Sequence, residues 1–198
     1  MNQDLVDEIE YLMELLTKSG FFSVDEIVEI LEDQFIEEDI DFSKFNISLN
    51  NFSNINFNKL EQAFRALASQ DIVAIHNCGY DIEEGVADAF ELNVHLINNK
   101  FKPKGFCFYT FEDVEEAIED EKLKITFGDF ENDENKALEI GNAVFEALKS
   151  EGFTIVWDGT INNQIELNPF EWDKSFDEDK EYEIEGAYDI FTSGWGLK

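Results

Sequence analysis

Four positions in this 198-residue chain end or follow apolar runs and carry groups able to bind a cation or move a proton. Asp81 follows the run at 71–77, Tyr109 sits in the run at 104–110, Asp129 follows 122–128, and Asp158 follows 153–157. If these runs are parallel strands, all four endings lie on one edge of a sheet. That edge is where open α/β sheets place their binding crevice. Carboxylates gathered there would hold a divalent cation through hard oxygen ligands or act as an acid/base pair. Asn77 and Tyr80, in the turn before Asp81, would line the same space. The candidate pocket is therefore Asn77, Tyr80, Asp81, Tyr109, Asp129 and Asp158, with a divalent cation as the one cofactor it suggests. Asp is also an ordinary turn and cap residue, so the pattern arises without a site as well.

Other chemistry has less support. His76 and Cys78 are two apart in an apolar run and would share a strand face, and Cys107 and His95 complete four zinc-type side chains. Their spacing matches no zinc pattern. A cysteine in a strand is usually a small core residue, and nothing near either thiol in sequence marks it as activated. The chain contains no G-x-G-x-x-G, Walker loop, H-E-x-x-H, G-x-S-x-G or EF-hand loop.

The elements that must position these residues follow from periodicity. Residues 3–18 place Leu5, Ile9, Leu12, Met13 and Leu16 at helical spacing, and Gly20 follows as a stop. Ser23 and Glu26 form a capping box ahead of a helix carrying Ile27, Val28, Leu31 and Phe35. A third helix at 58–69 turns Leu60, Ala63, Phe64 and Leu67 inward. Strands at 71–77 and 104–110 read as central. The helix between them, 82–98, would bury Ile82, Val86, Ala89, Phe90 and Ile97. Residues 122–128 alternate cleanly and predict a half-exposed strand near a sheet edge. A helix over 133–150 leads to strands 153–157 and 163–168, which pair as a hairpin. The expected fold is α/β (or α+β): a helical N-terminal cap, then a mixed, mostly parallel sheet of about five strands with flanking helices and a C-terminal β-hairpin. The expected organisation is one domain over 1–174, helical over 1–70 and sheet-containing over 71–174. An acidic aromatic tail follows at 175–198.

The segments IVAIHNCGYD (72–81), GFCFYTFEDVEEAI (105–118), ITFGDF (125–130) and EIGNAVFEALKSEGFTIVWDGTINNQIEL (139–167) together resemble an uncharacterised bacterial domain family. Its members share an N-x-G-Y turn, an aromatic F-x-F-Y strand and a strand ending in W-D-G. The resemblance spans residues 20–173 and leaves the tail outside. The family is one of unknown function, so the resemblance implies the architecture and no activity.

Charge narrows the partners. The chain has 46 acids, 14 bases and a formal net charge of −32, with acids spread through both halves. Such a surface repels phosphate backbones and anionic membranes, so neither nucleic acid nor membrane is an expected partner. It favours capture of a basic protein. The tail interleaves acids with Tyr182, Tyr188, Phe191 and Trp195, the pattern of a partner-binding segment in which aromatics anchor and charge steers. The N-terminus has no basic region followed by an apolar run, so the expected location is the cytoplasm, with reduced thiols. The expected function is an acidic, inhibitor-like or immunity-like binding module; the alternative is a small enzyme or metal-binding protein using the carboxylates.

Overall fold

A computed structural model describes residues 3–38 and 40–195, except for the side chain of Trp195. The chain divides into two compact units, Met1–Asn54 with Asp173–Asp179, and Ile55–Trp172 with Lys180–Lys198.

In the first unit, α1 (Gln3–Ser19) stops at Gly20, whose φ of +70° suits glycine best. The expected capping box is present: Ser23 Oγ accepts from the Glu26 amide, and the Glu26 carboxylate accepts from the Ser23 amide. It starts α2 (Val24–Gln34), which buries Ile27 and Leu31 completely. The segment 173–179 joins this unit through polar contacts. Asp173 accepts from the Asn54 amide and the Ser53 hydroxyl, and Ser175 donates its amide to the Asn54 side chain. Lys174 is 1% exposed, donates to the Gly20 carbonyl, and sits 4.6 Å from the centre of the Phe21 ring. A buried ammonium is tolerated when carbonyls and an aromatic face replace its water.

The second unit holds α3 (Ile55–Ala68), β1 (Ile72–Ile75), α4 (Ile82–Asn98), β2 (Gly105–Phe108), α5 (Phe111–Asp120), β3 (Leu123–Asp129), α6 (Glu134–Ser150), β4 (Ile155–Val156), β5 (Ile165–Leu167) and α7 (Glu183–Trp195). The strands form one mixed sheet in the order β1-β2-β3-β5-β4. The α/β class, the five strands, the flanking helices and the closing hairpin of β4 with β5 are as expected.

The strand directions are not. Only β1 and β2 run parallel; β3 is antiparallel to β2, and β5 is antiparallel to both β3 and β4. A strand–helix–strand unit is parallel only when its helix runs back along the sheet. Here α5 begins at Thr110, just past β2, and ends at Glu121 in the left-handed conformation. It hands the chain back at the edge it started from. As a result β3 lies in the middle of the sheet, not near its edge. Its polar face is half-covered by α5, where Lys124 pairs with Glu116 at 2.6 Å.

The two faces of the sheet have separate cores. On one face α3 and α6 meet the sheet: Phe64 stacks on His76 at 4.5 Å, Gly105 lies against Ile140, and Gly141 lies against Phe127. On the other face Val73, Ile75, Phe106 and Phe108 pack with Ala89, Leu92 and Leu96 of α4 and with Ala187 and Phe191 of α7. α4 comes close because Gly85 has no side chain: a Cβ there would sit 2.5 Å from the Phe108 ring and 2.7 Å from the Cys78 carbonyl oxygen. No helix among the described residues is long and apolar enough to cross a membrane.

Candidate functional site

The strand directions split the expected pocket. The β1 and β2 ends do meet: the Cys78 amide donates to the Tyr109 carbonyl at 2.8 Å, and the Phe111 and Glu112 amides donate to the Gly79 and Tyr80 carbonyls. Asn77, Tyr80, Asp81 and Tyr109 therefore share one edge of the sheet. Asp129 is paired with Gly105, the first residue of β2, and so lies at the opposite edge. Asp158 is set apart sideways: β4 begins level with the start of β3, since Ile155 and Leu123 both stand beside Leu167, and it lies three strands away from β2, about 14 Å across the sheet. β2 itself separates Asp129 from the Asn77–Tyr109 group by about 10 Å along the strand.

Each carboxylate also has a local structural partner. Asp81 caps α4 by accepting from the Glu84 amide at 3.0 Å. Asp129 accepts from the Glu131 and Asp133 amides in the turn before α6. Asp158 is held by Asn163 and Thr160, and these hydrogen bonds keep its carboxyl below the usual range. Among the described residues, no group of three His, Cys, Asp or Glu side chains is arranged to hold a metal ion. The ordinary turn-and-cap role is the one these aspartates fill.

His76 and Cys78 do not share a face either. Asn77 between them has φ +50°, which turns the chain, so His76 enters the α3 core and Cys78 the α4 core. His76 Nδ1 and Tyr109 Oη share a hydrogen bond of 2.8 Å. Phe57, Phe64 and Tyr182 surround the imidazole. Burial, with smaller contributions from Tyr182 and Glu61, pushes the Tyr109 phenol well up and keeps it protonated. Cys78 and Cys107 are free and buried, and burial pushes both thiols up, the reverse of what a nucleophile needs.

The tail is not the surface it was expected to be. The Glu183 amide donates to the His76 carbonyl, and the Asn77 side chain donates to the Glu183 carboxylate at 3.0 Å. Tyr182 packs edge-on against Phe57, Tyr188 lies against the α4 core, and Phe191 is 1% exposed. The acids and apolar residues of 183–191 are the two sides of an amphipathic helix whose apolar side completes the sheet's cover. Trp195 ends that helix, with its side chain outside the described residues.

The exposed apolar surface is on α4 instead. Ala89, Leu92 and Leu96 face the sheet, but Ile82, Phe90 and Ile97, expected inside, are exposed, and Val94 joins them. Phe90, Val94 and Ile97 are 42%, 57% and 53% exposed. Their four- and three-residue spacing makes one straight row. Phe90 is braced from below by Phe106 and Phe130, at ring separations of 6.0 and 5.3 Å. Glu84, Asp88 and Glu91 repeat the same spacing and form a second row alongside. Sequence reading missed this face because it gave α4 a single apolar side. Val94, one turn after Phe90, was the available signal that there are two.

Comparison with known proteins places the chain in a family. The chain belongs to the family described as Domain of unknown function (DUF6891). The match spans residues 52–176, starting later than the resemblance suggested. It takes in α3 through β5 and leaves α1, α2 and α7 outside. No curated protein and no solved structure matches the chain. In this DUF6891 protein both α4 rows lie within the matched region.

Proposed function

We propose that this DUF6891 protein is a binding module whose acidic exterior captures a basic protein, in the manner of an inhibitor or an immunity protein. The observation that carries the reading is the imbalance of fixed charge. The chain has 46 acids against 14 bases, and most of the basic side chains are already engaged. Lys18, Lys44, Lys104, Lys122, Lys124, Lys136, Lys149 and Lys180 each lie within 3.9 Å of a carboxylate, and Lys174 is buried. The negative field that remains steers cationic partners and rejects anionic ones. A field of this kind acts mainly on the association rate, so its signature is sensitivity to salt.

Affinity capture with the full chain from a lysate of its host, at low and moderate ionic strength, tests the reading. The expected result is a basic protein that is retained at low salt and released as salt rises. Captured proteins that are acidic, or that are held equally at both salt concentrations, would remove the reading.

A further inference from the structure

We infer that the outer face of α4 is the docking surface for a cationic amphipathic helix of a partner protein. This rests on the reading of the protein as an acidic binding module, and it gives that module a place and a partner shape. Three observations carry it.

The first is the row Phe90, Val94 and Ile97. Three large apolar side chains, each about half exposed, lie on one straight ridge of a regular helix. Such a ridge fits the groove between side-chain rows of a second helix, which packs with its axis about 8–10 Å away. An extended strand would have no sheet edge to join here.

The second is that the ridge is braced. Phe90 meets Phe106 and Phe130 edge-on, so its ring is held by the core beneath it. An aromatic fixed before binding loses little freedom on binding, which is what an interface anchor requires.

The third is the charge of the flank. Glu84, Asp88 and Glu91 run beside the ridge on one side only, about a third of a turn around the helix. No salt bridge among the described residues engages any of them. Their crowding is felt: burial, then Glu91 and Glu84, raises the Asp88 carboxyl above its usual range. Lysines or arginines along one flank of the incoming helix would neutralise this row while its apolar side covers the ridge. The asymmetry also fixes direction, because the acidic row accompanies the first half of α4 and Lys100 follows its end. A second copy of the chain is a poor occupant. Two copies pairing through this face would bring net charges of −32 together, and their acidic rows with them.

The test uses the full chain and a synthetic peptide helix with leucines along one face and lysines along one flank. A peptide of the same composition in scrambled order is the control. Binding is followed by calorimetry at low and moderate salt. The leucine–lysine helix is expected to bind, to weaken as salt rises, and to bind about tenfold or more better than the scrambled peptide. Val94→Glu with Ile97→Glu should weaken it about tenfold or more, while Ile161→Glu, at another exposed apolar site, should leave it unchanged. Asp88→Asn with Glu91→Gln should flatten the salt dependence. Thermal melts check that each variant folds; Val94→Ser with Ile97→Ser replaces the glutamates if they disturb α4.

Salt-sensitive binding that ignores the Val94 and Ile97 changes would overturn the docking surface and leave the acidic-module reading standing. Failure of both peptides to bind at low salt would overturn both. A parent chain that sediments as a dimer, converted to a monomer by Val94→Glu with Ile97→Glu, would give the face to a second copy and overturn the cationic occupant.

Discussion

α4 and α7 pack side by side on the same face of the sheet, and both are rich in apolar and acidic residues. α7 turns Ala187 and Phe191 into the core, half-buries Ile184, Tyr188 and Ile190, and leaves Glu183, Glu185 and Asp189 outside. It has one apolar side, and the protein covers it. α4 has two. One, through Ala89, Leu92 and Leu96, is covered by the sheet and α7; the other, through Phe90, Val94 and Ile97, is left outside. A surface helix needs a single apolar stripe, and a helix apolar on more than one side is either central or has a further partner. The comparison shows that periodicity identifies an apolar side without saying whether the chain's own core is what covers it.

The largest effect that bears on this contrast is expected from Phe191→Ala. Phe191 is fully buried and meets Phe101 edge-on at 6.2 Å. Its loss should destabilise the protein by about 3–5 kcal/mol, read as a lower urea midpoint. The double change Val94→Glu with Ile97→Glu should stay within about 0.5 kcal/mol of the parent, since these side chains are more exposed than buried. Equal costs for the two would mean that α7 is not part of the core, and the contrast between the helices would collapse.

Gly85→Ala probes the side of α4 that is covered. Alanine is the better helix former by about 1 kcal/mol. Against that, the new methyl would press into the Phe108 ring and the Cys78 carbonyl at 2.5 and 2.7 Å. Overpacking of this kind costs about 1–3 kcal/mol, and carbonyl backbone cannot move aside as a flexible side chain can. A net loss of about 1–2 kcal/mol is expected in equilibrium unfolding. A stabilised variant would mean that α4 rides higher on the sheet than Gly85 implies.

How far the sequence could be read follows the same physics. Local signals were reliable: the Ser23–Glu26 capping box, the Gly20 stop, the inward residues of α3 and the β4–β5 hairpin all stand where their short-range chemistry puts them. Strand direction was not legible. α5 has the length of an ordinary crossover helix, and the antiparallel return depends on where the chain re-enters the sheet after Glu121. That error moved Asp129 to the far edge, the strand order put Asp158 three strands to the side, and between them they dissolved the candidate pocket. Residues 71–77 read as one strand, but the left-handed turn at Asn77 ends it and sends His76 and Cys78 into different cores. The tail's alternating acids and aromatics fit a strand, a mobile segment or a helix equally well. Contact with Val73 and Ile75 decides among them, and no local rule contains it.

The smallest effect expected is one of sign, and it separates the acidic row of α4 from an acid that is well accommodated. Burial, then Glu91 and Glu84, raises Asp88 above the ordinary aspartate value of 3.8. A raised carboxyl means that the folded state holds its proton more tightly than the unfolded chain does. Stability therefore falls as pH rises from 3.8 through the folded value, and above that window the ionised group is a steady cost. Asp88→Asn lacks the cost, so it should melt above the parent at neutral pH, with the margin closing as pH falls to 3.8 and absent below it. Asp158 behaves oppositely. Asn163 and Thr160 favour its charged form and lower it, so its contribution is present above 3.8 and is lost as pH falls through the folded value. Asp158→Asn should therefore melt below the parent at neutral pH, with the gap closing in acid. Melting midpoints of both variants against the parent across this range cancel the general repulsion of so acidic a chain. If the two differences share a sign, the acidic row on α4 is no more crowded than the rest of the surface, and a cationic partner would have nothing special there to relieve.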